Sequence, residues 1–291
     1  MPDGRTIEID EGAGSRIELV SCIPFLLVHL AALVGALLVP FSWKLVGLCV
    51  ALYYGRMAFT TIAYHRYFAH RSFRTSRAFQ AVLAFLAETS AQKGVLWWAA
   101  HHRVHHRYSD LPGDPHSPKL GFWESHVLWI MRQKANATGE IKDFARFPEL
   151  RFLNTWHLLP PVLLAVALFV FGGAPALVWG FFVSTVLLWH GTFLVNSVNH
   201  LWGSRRYATS DTSRNNGLLA LLTMGEGWHN NHHHYMASAS QGFFWWEVDV
   251  SFYLIRAFQA LGLVWDVRTP PAKVRAATID SGQPDLALAP E

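Results

Sequence analysis

Histidine is the residue through which this chain can do chemistry, and four places hold it at regular spacing. His102, His105 and His106 stand at i, i+3 and i+4, and so do His229, His232 and His233. That spacing puts three imidazoles on one helix face. Asn196 and His200 are also four apart. His65 and His70 are five apart, a poorer fit to one helical face. They could share a metal if the helix ends or bends between them. Imidazole suits zinc, copper, iron and nickel, and nine or ten such donors are too many for one ion. Two metals are implied. Soluble di-iron bundles use carboxylates at Glu-x-x-His spacing, whereas carboxylates are sparse beside these histidines. Neutral imidazoles leave the metals' charge uncompensated. The site is therefore expected either to open to water or to keep acidic partners behind its ligands, with Asp114 and Glu226 the nearest candidates.

The elements that must carry these residues are apolar. Of 291 residues 52% are hydrophobic and only 15% charged, against about 25% charged in ordinary soluble domains. The thirteen tryptophans suit the headgroup level of a bilayer. Cys22 and Cys49 lie in apolar stretches, so neither a disulfide framework nor a zinc finger is offered. The net charge of +4 comes with no nucleic-acid-binding signature.

An all-α integral membrane protein follows. Residues 1–18 are a polar start without the pattern of a cleaved signal peptide. A spanning helix needs about 20 apolar residues, and stretches 19–43, 45–64, 156–171 and 176–199 meet or approach that length. They form two hairpins, one turning at Pro40–Lys44 and one at Gly172-Gly173-Ala174-Pro175. Residues 65–155 and 200–269 are left to build a helical cap within one domain, 19–269. Residues 71–100 read as a peripheral or half-inserted helical segment, and 243–265 as an amphipathic helix lying on the membrane. The Pro/Ala-rich tail from Pro270 to Glu291 reads as disordered. Arg56 interrupts the second span. An intramembrane arginine is often functional, but here the favoured reading is a helix that lifts Arg56 to the headgroups. Thirteen lysines and arginines fall between residues 65 and 157 and seven more after His200, but the hairpin turns hold only Lys44. The positive-inside rule then places both termini and every histidine cluster in the cytoplasm.

The motifs His65-Arg-Tyr-Phe-Ala-His70-Arg, His102-Arg-Val-His105-His106 with the following Tyr108-Ser-Asp-Leu-Pro-Gly-Asp-Pro-His116, Asn196-Ser-Val-Asn-His200-Leu-Trp-Gly, and Gly225-Glu-Gly-Trp-His229-Asn-Asn-His232-His233 occur in this order. Together they resemble the membrane fatty acid desaturase superfamily, in its acyl-CoA Δ9 (stearoyl-CoA desaturase-like) branch, over roughly residues 20–268. The resemblance implies two non-haem iron ions held by His65, His70, His102, His105, His106, His200, His229, His232 and His233. It implies one metal on His65, His70, His102, His106 and His233. The other would take His105, His200, His229 and His232, with Asn196 acting through a water. Zinc in a preparation would be an artefact, since zinc outranks Fe²⁺ at nitrogen sites. His101 stands where animal relatives carry an acidic residue near the substrate head. His101, His116, His126, His190 and His234 otherwise read as surface, packing or supporting residues.

The activity so implied is O₂-dependent insertion of a cis double bond, Δ9 by resemblance, into a saturated acyl chain. Acyl-CoA is the favoured substrate. Attack on an unactivated methylene is beyond side-chain acid–base chemistry and needs O₂ activated at metal. No haem, flavin or iron–sulfur motif is visible, so electrons are expected from a separate ferredoxin, rubredoxin or cytochrome b5 type protein. Tyr53, Tyr54 and Trp97 could line an acyl tunnel. Arg74, Arg77, Arg205 and Arg206 could meet CoA phosphates. The rivals are a lipid or alkane hydroxylase with the same machinery and, from another class, a non-catalytic metal-binding or transport protein. Transport needs polar residues running through the spans, where the sequence offers Arg56, His29 and His190.

Overall fold

The computed structural model describes residues 17–132 and 141–279. In order, the helices are α1 (Leu19–Leu38), α2 (Trp43–Phe59), α3 (Arg77–Glu88), α4 (Val95–Tyr108), α5 (Phe122–His126), α6 (Lys142–Ala145), α7 (Pro148–Thr155), α8 (Leu159–Ala176), α9 (Ser184–Leu201), α10 (Gly217–Leu222), α11 (His229–His234), α12 (Val250–Ala260) and α13 (Ala272–Ala276). α2 runs on as a π-helix, Thr60–Ala69, and another π-helix, Leu177–Val183, leads into α9. Two short strands, β1 (Arg74–Thr75) and β2 (Val264–Trp265), pair antiparallel with Arg74 opposite Trp265. They tie the chain after His70 to the end of the cap.

Two continuous helices, Trp43–Ala69 and Leu159–Leu201, are long and apolar enough to cross a membrane. The second is not straight. Twelve residues of α-helix would separate Leu168 from Gly180 by about 18 Å, yet a methyl group placed on Gly180 would lie 3.2 Å from the Leu168 side chain. The chain reverses at Gly173, whose φ of 65° and ψ of −167° belong to a region essentially restricted to glycine. The expected turn at Gly172–Pro175 is therefore present, although helical hydrogen bonding continues across it.

Gly180 is also where helices meet. The same methyl group would lie 3.1 Å from both Leu48 and Leu52 of α2. Farther along, the Tyr53 and Met57 side chains close on Gly191 of α9, so α2 and α9 run in one direction. α1 opposes them: Gly35 meets Val178, and Phe25 stacks on Trp189 at 5.2 Å. Leu26, Leu30, Leu33 and Leu37 of α1 and Val166, Phe169, Val170 and Phe171 of α8 are exposed. An apolar surface of that extent marks contact with lipid or another apolar partner.

Arg56 differs from the expectation. It does not reach upward but is 4% exposed. It donates to Ser184 Oγ (2.5 Å), Thr185 Oγ1 (2.7 Å) and the Thr89 carbonyl (3.2 Å). Buried oxygens facing it satisfy the guanidinium more completely than snorkelling would. The two histidines of these helices, His29 and His190, are paired too. His29 Nε2 lies 3.2 Å from His190 Nε2, and His190 Nδ1 lies 3.0 Å from His126 Nε2.

The helical segment expected over 71–100 consists of α3, a break, and the start of α4. Two further expectations are corrected. The tail is ordered beyond Pro270: α13 forms, the Val274 carbonyl lies 3.2 Å from His234 Nε2, and Ile279 N–H donates to the Arg206 carbonyl at 2.8 Å. These contacts with the 200–234 region fix what composition alone reads as disorder. Residues 280–291, the rest of that expectation, lie outside the described residues, as do 1–16. The expected amphipathic helix is shorter than 243–265, confined to α12, and turns Ser251 and Ile255 inward.

Replacing Gly173 by valine should lower stability by about 1–3 kcal/mol, because the side chain cannot adopt its φ of 65°. The thermal midpoint of the detergent-solubilised protein reads this. Gly47→Ala, in open space on α2, should not lower it.

Candidate metal centre

Each histidine cluster is placed by a local device. The π-helix solves the awkward spacing of His65 and His70. In i→i+5 hydrogen bonding five residues make roughly one turn, and His70 N–H indeed donates to the His65 carbonyl at 3.1 Å. The rings come to 4.8 Å between centroids. Arg103 of α4 closes the end of this helix by donating to the Phe68 (2.7 Å) and Ala69 (2.9 Å) carbonyls. α4 is fixed at its own start from outside. Asn154 Oδ1 accepts from Leu96 and Trp97 N–H at 3.1 and 3.0 Å, and Glu88 Oε1 accepts from Val95 N–H at 3.0 Å. Burial pushes Glu88 up to about 8, so it serves there as a neutral acid.

α11 is braced by the asparagines between its histidines. Asn230 Oδ1 accepts from Arg206 and Tyr207 N–H at 2.9 and 2.8 Å. Asn231 Nδ2 donates to Glu247 Oε2 at 2.8 Å, while its Oδ1 accepts from Asn215 at 2.7 Å. Gly225, just before, has a φ of 123° and leaves no room for a side chain, since a Cβ would meet the Asp249 carboxylate.

The imidazoles form two groups. His65, His70, His102, His106 and His232 lie in one, and His105, His200, His229 and His233 in the other, each with its donor atoms within 4.8 Å of one another. All nine histidines expected as ligands are thus brought together. The division differs in one respect from that implied by resemblance: His232 joins the first group and His233 the second, not the reverse. Neighbouring residues on α11 point about 100° apart, so the helix orientation decides which side each takes.

Geometry and hydrogen bonding fit metal in both groups. In the first, Nε2 atoms of successive rings are 2.9–3.1 Å apart. That is the edge expected for nitrogens about 2.1 Å from a common ion at near-right angles. In the second, His200 Nε2 and His229 Nε2 are 3.1 Å apart. His105 Nε2 and His233 Nε2 are buried with no hydrogen-bond partner, while their Nδ1 atoms are held by Asp114 (2.9 Å) and Asp211 (2.6 Å). A carboxylate behind the ring fixes the tautomer and leaves Nε2 for a metal.

Asp114 and Glu226 lie where the sequence suggested: Glu226 Oε2 is 2.5 Å from His65 Nδ1. Sequence reasoning missed Asp110 and Asp211. Asp110 Oδ2 lies 3.5 Å from His200 Nδ1 and accepts from Thr212 Oγ1 at 2.7 Å. Asp110 sits inside the quoted 108–116 motif, a signal that could have found it. Asp211 had none, because only the folding of residues 204–215 carries it to His233. Arg66 was missed as well. Fully buried, it donates to Glu226 Oε1 at 3.0 Å and Asp249 Oδ2 at 3.0 Å, balancing two buried carboxylates.

Burial, and then repulsion by neighbouring imidazoles, hold His70, His102, His106, His229 and His232 well below the usual histidine range. They are neutral at pH 7, as ligands must be. His105 behaves oppositely: against burial, Asp114, Asp110 and Asp211 raise it. Glu226 is the converse case, where burial pushes up but His65 and Arg66 hold it down at about 2.

A cavity reaches both groups. Its wall includes His65 and His102 from the first, His105 and His229 from the second, and Asn196, Trp98, Met57, Thr192 and Thr223. Gln92 fixes two of these, donating to Thr192 Oγ1 at 3.0 Å and accepting from Trp98 Nε1 at 3.3 Å. The expected tunnel residues Tyr53, Tyr54 and Trp97 are not in this wall. Tyr53 donates to the Leu222 carbonyl at 2.8 Å with Tyr54 packed edge-on against it, and Trp97 lies tilted against His101 with ring centroids 3.8 Å apart. Trp98, one residue on, takes the place expected of Trp97. The arginines expected at CoA phosphates face carboxylates or carbonyls: Arg77 on Glu149 (2.7 Å), Arg74 on Asp266 (3.3 Å), Arg206 on Glu247 (2.8 Å), and Arg205 on the Thr209 and Asp211 carbonyls (both 2.9 Å). His234 stacks on Tyr207 at 4.1 Å, and His116 stacks on His105 at 4.2 Å.

Asp211→Asn keeps the shape but removes the charge behind His233, and should weaken metal binding about 10–100-fold in competition with a chelator. Acid should also unfold the metal-free protein early. Glu226 is lowered from 4.5 to about 2, and Asp114 and Asp211 are lowered too. A depressed carboxyl stabilises above its unfolded value and loses that contribution as pH falls through the folded one. Helical circular dichroism should therefore show stability falling from about pH 5 toward pH 2, and a flat profile there would contradict the assignment.

The sequence matches the family profile described as Fatty acid desaturase across residues 41–264. It is 40% identical over 236 residues to an acyl-CoA C20 Delta5-desaturase of Anemone leveillei, covering 79% of this chain and 76% of that protein. It is 39% identical over 257 residues to the sn-1 stearoyl-lipid 9-desaturase of a Synechocystis strain, covering 87% and 80%. Against the chloroplastic palmitoyl-monogalactosyldiacylglycerol delta-7 desaturase of Arabidopsis thaliana it is 38% identical over 250 residues, covering 84% and 67%. With that match spanning the helices that hold both histidine groups, the chain belongs to the fatty acid desaturase family.

Proposed function

We propose that this protein is an O₂-dependent di-iron desaturase that places a cis double bond, at Δ9, in a saturated fatty acyl chain, with acyl-CoA the first substrate to test. The observation that carries the reading is the cavity wall, which includes histidines of both groups. His65, His70, His102, His106 and His232 would hold one iron. His105, His200, His229 and His233 would hold the other, with Asn196 reaching it through a water. When bound, the iron pair supplies O₂ activation strong enough to remove hydrogens from two adjacent methylenes, with two electrons arriving from outside.

The chain's own residues position and insulate. Met57, Trp98 and Val195 give the cavity its apolar wall, against which a methylene chain lies without polar competition. Gln92 holds Trp98 and Thr192 in register. The carboxylates behind His65, His105, His200 and His233 fix ring orientation and offset metal charge. We read α1, α2, α8 and α9 as four spans in two hairpins, with both termini and the metal site on the cytoplasmic side, because the loops on that side carry the lysines and arginines. Electrons come from a separate carrier protein.

Lipid profiling of a host lacking its own desaturase, with and without this chain, tests the reading. A new monounsaturated acid with its double bond mapped is expected. A hydroxylated product without alkene would establish the hydroxylase alternative instead. His105→Ala and His232→Ala should each abolish product while leaving the protein in the membrane, whereas His234→Ala should keep substantial activity.

A further inference from the structure

Four of the five histidines in the first group are followed by arginine: His65-Arg66, His70-Arg71, His102-Arg103 and His106-Arg107. None in the second group is; His105, His200, His229 and His233 precede His106, Leu201, Asn230 and His234. The four arginines divide by position. Arg66 is buried on Glu226 and Asp249, and Arg103 is partly buried on the π-helix end. Arg71 and Arg107 are exposed.

Arg103 and Arg107 are four apart on α4 and so share a face. Asp143 joins Arg71 to it, lying 2.9 Å from Arg103 and 3.6 Å from Arg71. α6, which carries Asp143, packs Phe144 against Tyr67 and Phe68 at the end of the π-helix. Exposed Lys142 and Arg146 flank that contact. Among the described residues this face thus presents Arg71, Arg103, Arg107, Lys142 and Arg146 around one carboxylate, Asp143, which Arg103 already engages through both oxygens. Beside the second group the chain instead exposes Leu201 and Trp202.

We propose that the Arg71–Arg107–Lys142–Arg146 face docks an acidic one-electron carrier protein, and that electrons enter through the His65/His70/His102/His106/His232 group. This rests on the desaturase reading above. The physical case is proximity with charge. His70 and His106 are each one residue from an exposed arginine, and electron transfer falls steeply with distance. A cationic ring around the entry point both speeds encounter with an acidic partner and rejects a basic one. Per turnover, O₂, two protons, two electrons from two reduced carriers and two hydrogens from the acyl chain yield two waters and the alkene; each carrier leaves oxidised.

The test uses the full iron-loaded chain in nanodiscs of neutral phosphatidylcholine, with an acidic [2Fe–2S] ferredoxin as probe and a basic c-type cytochrome as control. Arg71→Glu/Arg107→Glu should weaken ferredoxin binding about tenfold or more at low salt, with the difference shrinking as ionic strength rises. Iron content, and alkene formed with dithionite replacing the carrier, should stay unchanged. Equal ferredoxin affinity in the double variant overturns the proposal. So does equally tight binding of the cytochrome, or loss of binding to phosphatidylserine vesicles with ferredoxin binding intact, which would make the face a lipid contact. Absence of alkene from the wild-type protein with dithionite and O₂ would count against the desaturase reading, while the binding comparison would still decide the docking face.

Discussion

Everything in this molecule answers to the cost of gathering nine imidazoles into one buried volume. Rings must be kept unprotonated, turned so that one nitrogen faces inward, and offset by negative charge. Burial and mutual repulsion do the first for His70, His102, His106, His229 and His232. The second and third fall to Glu226, Asp110, Asp114 and Asp211, which reach ring Nδ1 atoms from three different loops. Buried carboxylates are themselves costly unless paired, and Arg66 is buried to balance Glu226 and Asp249. The polar interior is thus a closed set of charges, and the removal of one member leaves another exposed to a low dielectric.

Helix geometry is bent to the same purpose. An α-helix would put His65 and His70 on different faces, and the π-helix brings them together at a cost in backbone packing that Arg103 and the buried neighbours of Thr60–Ala69 sustain. α4 and α11 need no such distortion, because their histidines already follow α-helical spacing. They need bracing instead: Asn154 and Glu88 hold the start of α4 from elsewhere in the chain, and α11's own Asn230 and Asn231 tie it to Arg206, Tyr207, Asn215 and Glu247.

The apolar helices serve as a frame. α9 and the π-helix leading into it pack against α1 and α2; the π-helix meets α8 at Gly180, and α9 carries Asn196 and His200 at its far end. Arg56, buried on Ser184, Thr185 and the Thr89 carbonyl, connects this frame to the cap. The same charge that would be expensive in lipid becomes a tie between elements once enough oxygens face it.

Residue type and spacing determined the nine histidines, the apolar stretches and the hairpin turns, because imidazole chemistry, helical period and span length are local properties. Asp114 was legible too, lying close in sequence to the His105 it supports, and Glu226 was legible by its place beside His229, although the ring it reaches is that of His65. Tertiary structure alone decided the rest. It assigned His232 and His233 to opposite groups, brought Asp211 to His233, put Trp98 rather than Trp97 at the cavity and turned Arg56 inward. It also ordered α13 against a loop far away in sequence. Each of these depends on the orientation of one element relative to another, which packing fixes and local spacing does not encode.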